Sequence, residues 1–346
     1  MAAPPVVLGL DFGGTKIAAA VCDLAGNQLA SATVGSDGAL GAQASFGRGI
    51  QVARDLLSST APGSELVAVG VSTFGIPFED RVELAPAIDG WHSLAMGREL
   101  SAAFAGAQIR MATDAKAAAL AEVRWGALAG CDPAVYLNLG TGLAAAVVVG
   151  GQVVTGINGA AGEIGYNLRS VADVGLALDQ RVLLEHRVSG QALGERGADS
   201  AQAGQPLTAA DVFAAAATDR ELDGLVDDFA DELAFHLVNL AILVNPQRIA
   251  VGGGMVRSWT RIRPRLQDAL QRGTPFPPEL VVAHFPHDAP LLGAVAIAVD
   301  AARGRAEAGP AAIQDGRGEG RGDDGRPVPP GGDTVHPDTI NTGTLS

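Results

Sequence analysis

A glycine-rich turn near the start of the chain carries residue types that bind phosphate. Residues 6–11 form a short apolar run that predicts a buried strand, and Gly13, Gly14 and Thr15 follow shortly after it. Glycines let backbone N–H groups approach phosphate oxygens without a side chain in the way, and a threonine hydroxyl adds a hydrogen bond. Asp11, at the end of the strand, can hold Mg²⁺ through water. Taken alone, the turn is equally consistent with an ordinary hairpin.

Two later turns have a similar character. Gly140, Thr141 and Gly142 occupy the position that matches the first turn in a second strand–turn–strand pattern, so the two turns could grip a triphosphate from both sides of a cleft. Gly253 and Gly254 lie between a predicted strand and a predicted helix, where they suit either an adenosine or an ordinary tight turn. The Gly-x-x-x-x-Gly-Lys-Ser/Thr loop is missing from the sequence. The glycines of the first turn lead into a strand, which excludes the helix-opening dinucleotide motif.

The elements that must position these turns repeat along the chain. Three short strands joined by tight turns occupy residues 6–34 and three more occupy residues 134–154, which indicates a duplicated β-meander followed by helices. From residue 304 to residue 346 the chain is rich in Gly, Pro, Asp and Arg, which predicts a disordered tail. Apolar spacing predicts further strands at 66–72, 109–112 and 248–251, and helices at 43–59, 97–105, 114–128, 222–244, 256–272 and 291–303.

The composition narrows the class of protein. Apolar residues make up 47% of the 346 residues, which is enough for a large core. The formal net charge of −14 argues against a nucleic-acid partner, because binding phosphate backbones needs dense Lys and Arg. The 2 cysteines are too few for a disulfide scaffold or a thiolate metal cluster. No apolar run reaches the ~20 residues of a membrane span and no signal peptide is visible, so we expect no membrane partner and a cytoplasmic location.

Taken together and in order, these motifs resemble those of the ROK family of bacterial sugar kinases and repressors. The matching segments are residues 10–17 (LDFGGTKI), 113–119 (TDAKAAA), 139–142 (LGTG), 158–166 (NGAAGEIGY), 184–185 (LE) and 251–254 (VGGG). The resemblance implies an α/β fold of the actin-like ATPase (ribonuclease H-like) type, which is a duplicated two-domain structure with a central cleft. We expect a small N-terminal domain at residues 1–113, completed by the helix at 291–303, and a larger C-terminal domain at 114–291.

The resemblance also assigns roles to individual residues. Asp114 matches the general base that takes the proton from a sugar hydroxyl as this hydroxyl attacks the γ-phosphate of ATP. Asp114 is also a candidate N-cap of the following helix, and the two roles are compatible. The implied cofactor is Mg-ATP, the implied partners are a sugar substrate and a second copy of the chain, and Asp11 is the residue implied for magnesium. The implied phosphate-binding residues are Asp11, Gly13, Gly14, Thr15, Gly140, Thr141, Gly142, Gly253 and Gly254, and the implied sugar-binding residues are Thr113, Asn158, Glu163, Tyr166 and Glu185.

The chain departs from the family pattern on the sugar side. Thr113 stands where the family has Asn, Ala87 stands where a sugar-contacting Asn is common, and Tyr166 stands where the family has the His of its Glu-x-Gly-His motif. The zinc cluster that normally follows is missing, and residues 167–184 contain neither Cys nor His, so we expect no structural zinc. These losses remove hydrogen-bond partners for hydroxyls and should weaken the binding of a standard hexose.

Two functions follow from these observations. The first is an ATP-dependent, glucokinase-like sugar kinase that transfers the γ-phosphate to a hydroxyl of a hexose or related sugar. The alternative is a catalytically impaired sugar- or nucleotide-binding protein on the same fold, which the lost sugar contacts favour and the retained Asp11 and Asp114 oppose. A DNA-binding repressor is disfavoured. The repressors of the family carry an N-terminal helix-turn-helix, whereas the first strand here begins near residue 6, and the net charge is acidic.

Overall fold

Two five-stranded sheets form the framework of the structure. The computed structural model describes residues 3–85, 87–200, 206–285 and 287–308. The strands are β1 (Val6–Phe12), β2 (Lys16–Cys22), β3 (Gln28–Gly35), β4 (Leu66–Thr73), β5 (Ile76–Pro77), β6 (Val82–Glu83), β7 (Gln108–Thr113), β8 (Ala134–Leu139), β9 (Leu143–Val149), β10 (Gln152–Val153), β11 (Arg248–Gly252) and β12 (Glu279–Val282). The α-helices are α1 (Ala42–Thr60), α2 (Met96–Ala103), α3 (Asp114–Trp125), α4 (Gly190–Ser200), α5 (Ala209–Ala215), α6 (Arg220–Val244), α7 (Trp259–Gly273) and α8 (Ala289–Ala308).

The two sheets have the same topology. The strand order is β3-β2-β1-β4-β7 in the first sheet and β10-β9-β8-β11-β12 in the second. In each sheet the three meander strands pair antiparallel, and the two strands added beyond them run parallel to the first meander strand. This repeat confirms the duplication predicted from the sequence. Because the carboxyl ends of parallel strands meet at one edge of a sheet, the turns after β1 and β8 lie at equivalent edges.

The strand before the first glycine turn is covered on both faces. Every residue of β1 is buried, as expected for a central strand that pairs in parallel and carries a continuous apolar run. Phe12 stacks on Phe46 of α1 at a centroid distance of 5.1 Å and lies 5.9 Å from Trp91. This aromatic cluster anchors the end of β1, so the turn that follows starts from a rigid point.

The last helix packs closely against the first sheet and against α3 through glycines. A Cβ on Gly70 of β4 would lie 1.9 Å from the carbonyl oxygen of Ala294, and a Cβ on Gly293 would lie 1.8 Å from the carbonyl oxygen of Ala117. Neither distance leaves room for a methyl group, so both positions require glycine. Through these contacts α8 joins the first sheet to the helix that begins with Asp114.

Most of the elements predicted from the sequence are present, and β2, β8 and β9 have the predicted bounds. The elements that were not predicted are α4, α5, β12 and the two-residue strands β5 and β6. Helix α7 begins at Trp259 rather than at residue 256, because the segment Gly254–Ser258 forms a 3₁₀ turn first. Helix α8 continues to Ala308, past the predicted start of the tail at residue 304, and residues 309–346 lie outside the described residues.

The predicted division into two domains stays a prediction. None of the helices in the described ranges combines the length and the apolar character needed to cross a bilayer.

A methyl group on Gly293 should destabilise the protein. We expect Gly293→Ala to lower the free energy of unfolding by about 1–3 kcal/mol, because the backbone of α3 has to move away from the new side chain. Gly224→Ala is the matched control: Gly224 is exposed in α6 with no atom near its Cβ position, so alanine should stabilise by about 0.5–1 kcal/mol. Urea unfolding of both variants measures the difference. Equal midpoints for Gly293→Ala and the wild type would refute the close packing of α3 on α8.

Candidate active site

The turn between β1 and β2 leaves two consecutive backbone N–H groups unpaired. Its carbonyl groups are occupied: the Ser36 hydroxyl donates to the carbonyl oxygen of Gly14 at 2.7 Å, and the Ser36 N–H donates to that of Thr15 at 3.0 Å. The N–H groups of Gly14 and Thr15 have no acceptor among the described residues. Consecutive free N–H groups in a turn attract anions, so this turn has the chemistry of a phosphate site.

The turn between β8 and β9 is built in the same way. The Gly190 N–H donates to the carbonyl oxygen of Gly140 at 2.7 Å, and the Gln191 N–H donates to that of Thr141 at 3.3 Å. Within the described ranges, the N–H groups of Thr141 and Gly142 have no acceptor. The start of α4 therefore holds this turn in place by its carbonyl oxygens and leaves its donors available.

The third glycine turn lies directly against the second. A Cβ on Gly140 would lie 3.8 Å from the Cα of Gly253. Gly253 has a φ of +89°, and a Cβ there would lie 2.5 Å from the carbonyl oxygen of Leu139, so only glycine fits. The structure therefore brings together the residues predicted at positions 140–142 and 253–254.

Asp114 is the first residue of α3, directly after β7. Its Oδ1 accepts the N–H of Ala115 at 2.7 Å, and Thr113, not Asp114, is the N-cap residue. The N-cap role predicted for Asp114 is therefore wrong, because α3 begins at Asp114 itself, one residue earlier than that role requires. The pKa of Asp114 is raised to about 6, chiefly by burial. The Ala115 N–H and the Lys116 ammonium oppose the shift, and the charges of Glu163 and Glu185 contribute to it.

A buried lysine pairs with one of the carboxylates near Asp114. The Nζ of Lys116 lies 3.2 Å from Oε1 of Glu163 and 3.4 Å from the hydroxyl of Thr113. Its side chain is only 4% exposed. Burial raises the pKa of Glu163, and the Lys116 charge opposes this. Lys116 was not among the residues predicted for the site; its only local signal is its place two residues after Asp114 on the same helical turn.

The second carboxylate lies beside the second glycine turn. Oε2 of Glu185 accepts the N–H of Leu143 at 2.7 Å. The pKa of Tyr166 is raised by burial and by the charges of Glu185 and Glu163, so both carboxylates act electrostatically on its phenol. Asn158 is exposed, and none of the hydrogen bonds found in the described residues joins it to this group. Tyr166 and both glutamates thus interact electrostatically, whereas the hydrogen bonds of the described residues do not connect Asn158 to them.

Asp11 is the buried carboxylate at the end of β1. Its pKa is raised to about 7, chiefly by burial, and the charge of Asp114 contributes to the shift. In the ranges described here, no group of three or more His, Cys, Asp and Glu residues could enclose a metal ion. Magnesium commonly uses one or two carboxylates together with water and phosphate oxygens, so Asp11 beside a phosphate-binding turn fits a Mg²⁺ carried by a nucleotide.

Comparison with known proteins agrees with this geometry. The model that describes the ROK family matches residues 7–301. The chain is 30% identical over 306 residues to the bifunctional enzyme NanE/NanK of Brucella melitensis, which covers 84% of this chain. The chain spans about half, 54%, of the length of that relative.

Two solved structures resemble the chain along almost their whole length. The ROK hexokinase from Thermus thermophilus has a TM-score of 0.73 and 28% identity, over 87% of this chain and 100% of that one. The ROK family glucokinase from Streptomyces griseus, in complex with glucose and AMPPNP, has a TM-score of 0.69 and 27% identity, over 85% of this chain and 99% of that one. The actin-like fold predicted from the sequence is confirmed.

Replacing Asp11 by asparagine should stabilise the unliganded protein at high pH only. A carboxyl whose pKa is about 7 when folded and 3.8 when unfolded binds a proton only in the folded state between these values, so stability falls as the pH rises through that window. Asp11→Asn removes this pH-dependent loss of stability. We expect its free energy of unfolding to exceed that of the wild type by about 1–4 kcal/mol at pH ~8 and to be almost the same below pH ~4. Urea unfolding at both pH values, without nucleotide or metal, measures it.

The control for this prediction is Asp23→Asn. Asp23 lies at the surface and is partly exposed, and hydrogen bonds from Asn27 hold the pKa of its carboxyl below the usual value, so the variant should gain no stability at any pH. A gain for Asp11→Asn that is independent of pH would contradict the raised pKa of Asp11.

Proposed function

This chain belongs to the ROK family, and we propose that it is an ATP-dependent carbohydrate kinase that transfers the γ-phosphate to a sugar hydroxyl. The observation that carries the proposal is the setting of Asp114. Its charge interacts with Asp11, which precedes the first phosphate turn, and with Glu185, which touches the second turn. A general base is needed where a phosphate donor and a hydroxyl acceptor meet, and this setting supports Asp114 in that role.

The phosphate side of the site consists mainly of backbone donors. The unpaired N–H groups of Gly14, Thr15, Thr141 and Gly142 suit the β- and γ-phosphates of a nucleotide, and the glycine turn at residues 253–254 suits its adenosine. When bound, Mg²⁺ neutralises phosphate charge, and Asp11 would hold it through water. Donors that are fixed in advance stabilise the charge of the transferring group without rearranging during the reaction.

Proton transfer is the task of Asp114. The acceptor hydroxyl oxygen forms the new bond to the γ-phosphorus, the bond from that phosphorus to the bridging oxygen of ADP breaks, and the hydroxyl proton passes to the Asp114 carboxylate. A pKa of about 6 suits this role, because the carboxylate is ionised at neutral pH and is more basic than an ordinary aspartate.

The acceptor side favours a neutral or cationic polyhydroxylated molecule. Hydrogen-bond acceptors are offered by the carboxylates of Asp114, Glu163 and Glu185. The ammonium of Lys116 balances the charge of Glu163. Carboxylates accept hydrogen bonds from hydroxyl and ammonium groups and repel anions, so sugar acids should be poor acceptors. Oε1 of Glu163 is occupied by Lys116, which leaves Oε2 for the acceptor. The two similar structures named above are a hexokinase and a glucokinase by name, and the second holds glucose, which supports a neutral sugar as the acceptor.

The homodimer and the cytoplasmic location remain predictions. Helix α6 exposes large apolar side chains, with Phe235 57% and Leu243 84% exposed, which supports a second copy of the chain as a partner.

A coupled assay of ADP release tests the proposed reaction. The panel holds hexoses, N-acetylhexosamines, amino sugars, polyols and one sugar acid, each with Mg-ATP. We expect turnover that depends on a sugar and that falls by about 10²–10⁴-fold in Asp114→Asn, because the proton acceptor is lost. Asp268→Asn removes a carboxylate on the exposed face of α7 and should leave turnover unchanged. If the protein binds ATP but turns over no acceptor, the kinase function is rejected in favour of a sugar- or nucleotide-binding protein.

Lys116→Met should shift the pH dependence of the reaction. Because the Lys116 ammonium lowers the pKa of Asp114, its loss raises that pKa, and the acid limb of kcat/KM moves to higher pH. The limb moves to higher pH because the reaction needs an ionised Asp114, and a higher pKa delays its ionisation. Lys116→Arg keeps the charge and should leave the limb closer to its wild-type position. An acid limb that stays in place in Lys116→Met would mean that Lys116 does not act on Asp114.

A further inference from the structure

The segment between the two acceptor-side glutamates has almost no hydrophobic anchor. Residues 166–183, the acceptor segment from here on, run from Tyr166 to the residue before Leu184, and not one of them is buried. Its apolar side chains face water; Val171, for example, is 88% exposed. Apolar burial is the usual force that fixes a segment in place, so polar contacts must position this one.

One glutamate of α6 pairs with arginines at both ends of this segment. Arg169, three residues after Tyr166, donates through Nε to Oε1 of Glu232. Arg187, two residues after Glu185, donates through Nε to Oε2 of Glu232 at 3.3 Å. The Glu232 side chain is 16% exposed, and its neighbours Phe229 and Leu233 on α6 belong to the core of the second half. Helix α6 is thus tied by Glu232 to both ends of the acceptor segment.

The pairing depends on this single negative charge. Isolated surface ion pairs add little stability, but this carboxylate is mostly shielded from water and is shared by two guanidinium groups. Arg196 lies close by: burial lowers the pKa of its guanidinium, and the charge of Arg187 lowers it further. Without Glu232 the arginines would repel one another. The acceptor segment would then keep the hydrogen bond from Arg181 to the carbonyl oxygen of Tyr166 at 2.9 Å and the contact of Asn167 with His236 of α6, neither of which holds Arg187.

We propose that Glu232 is a positioning residue for the acceptor side, which holds Tyr166 and Glu185 in register by clamping Arg169 and Arg187. The proposal rests on the proposed kinase function, because it assigns Tyr166 and Glu185 to the sugar. The clamp touches neither the glycine turns nor Asp114 in the hydrogen bonds found in the described part of the chain. Its loss should therefore impair acceptor binding and spare nucleotide binding.

Glu232→Gln tests the clamp, with Asp231→Asn as the matched control. Asp231 is the preceding residue on α6, and its carboxylate pairs with Arg265 of α7 at 2.9 Å, away from the acceptor segment. We expect the acceptor KM of Glu232→Gln to rise by about 10-fold to 100-fold, because sub-ångström misplacement of binding groups is costly, while the KM for ATP changes less than about twofold. Asp231→Asn should match the wild type in both constants.

A second measurement needs no substrate. In hydrogen–deuterium exchange of the unliganded protein, amides of residues 166–187 should exchange faster in Glu232→Gln than in the wild type or in Asp231→Asn. Unchanged exchange would overturn the clamp, whatever the chain phosphorylates. Faster exchange in a chain that phosphorylates no sugar would support the clamp and reject only the kinase function. If Glu232→Gln does not fold, Arg187→Gln removes one arm, and unaltered exchange in that variant would equally overturn the proposal.

Discussion

Negative charge held away from water is the constraint on which the rest of the site depends. Asp11 and Asp114 lie at strand ends of the first sheet, and Glu163 and Glu185 join them from the second half of the chain. Burying several carboxylates together is costly. The structure offsets part of this cost with the ammonium of Lys116 and with backbone N–H groups. The remaining excess of negative charge prepares the site for cations and for hydrogen-bond donors.

The duplicated topology explains how these groups come together. The register of the first sheet sets Phe12, Thr73 and Thr113 side by side, so Asp11 and Asp114 both lie at one sheet edge. In the second sheet Asn138 pairs with Gly252, which sets the two later glycine turns next to each other. Each sheet thus delivers its functional residues from the carboxyl ends of its parallel strands, as open α/β sheets commonly do.

Features with a local signal could be predicted from the sequence, and features that depend on distant partners could not. The glycine turns and Asp114 each follow a recognisable strand, so their place in the fold could be predicted, while their proposed roles came from the resemblance to the family. Lys116 lies in an alanine-rich helix, where a lysine is normally solvated, and its burial depends on Glu163, 47 residues away. In the sequence Glu232 is one of the polar residues of an amphipathic helix, and its pairing cannot be predicted because its partners lie 63 and 45 residues away.

The two sides of the site are stabilised by different means, and this difference bears on how the chain departs from its family. The phosphate side uses backbone N–H groups of turns that two sheets and α4 hold rigidly, so few side-chain substitutions can alter it. The acceptor side uses side chains that flank an unburied segment, and ion pairs hold that segment. Substitutions there leave the core intact and cost little stability. Acceptor preference can therefore diverge while phosphoryl transfer is retained, which agrees with a chain that keeps Asp114 and has Thr113 and Tyr166 in place of the usual sugar contacts.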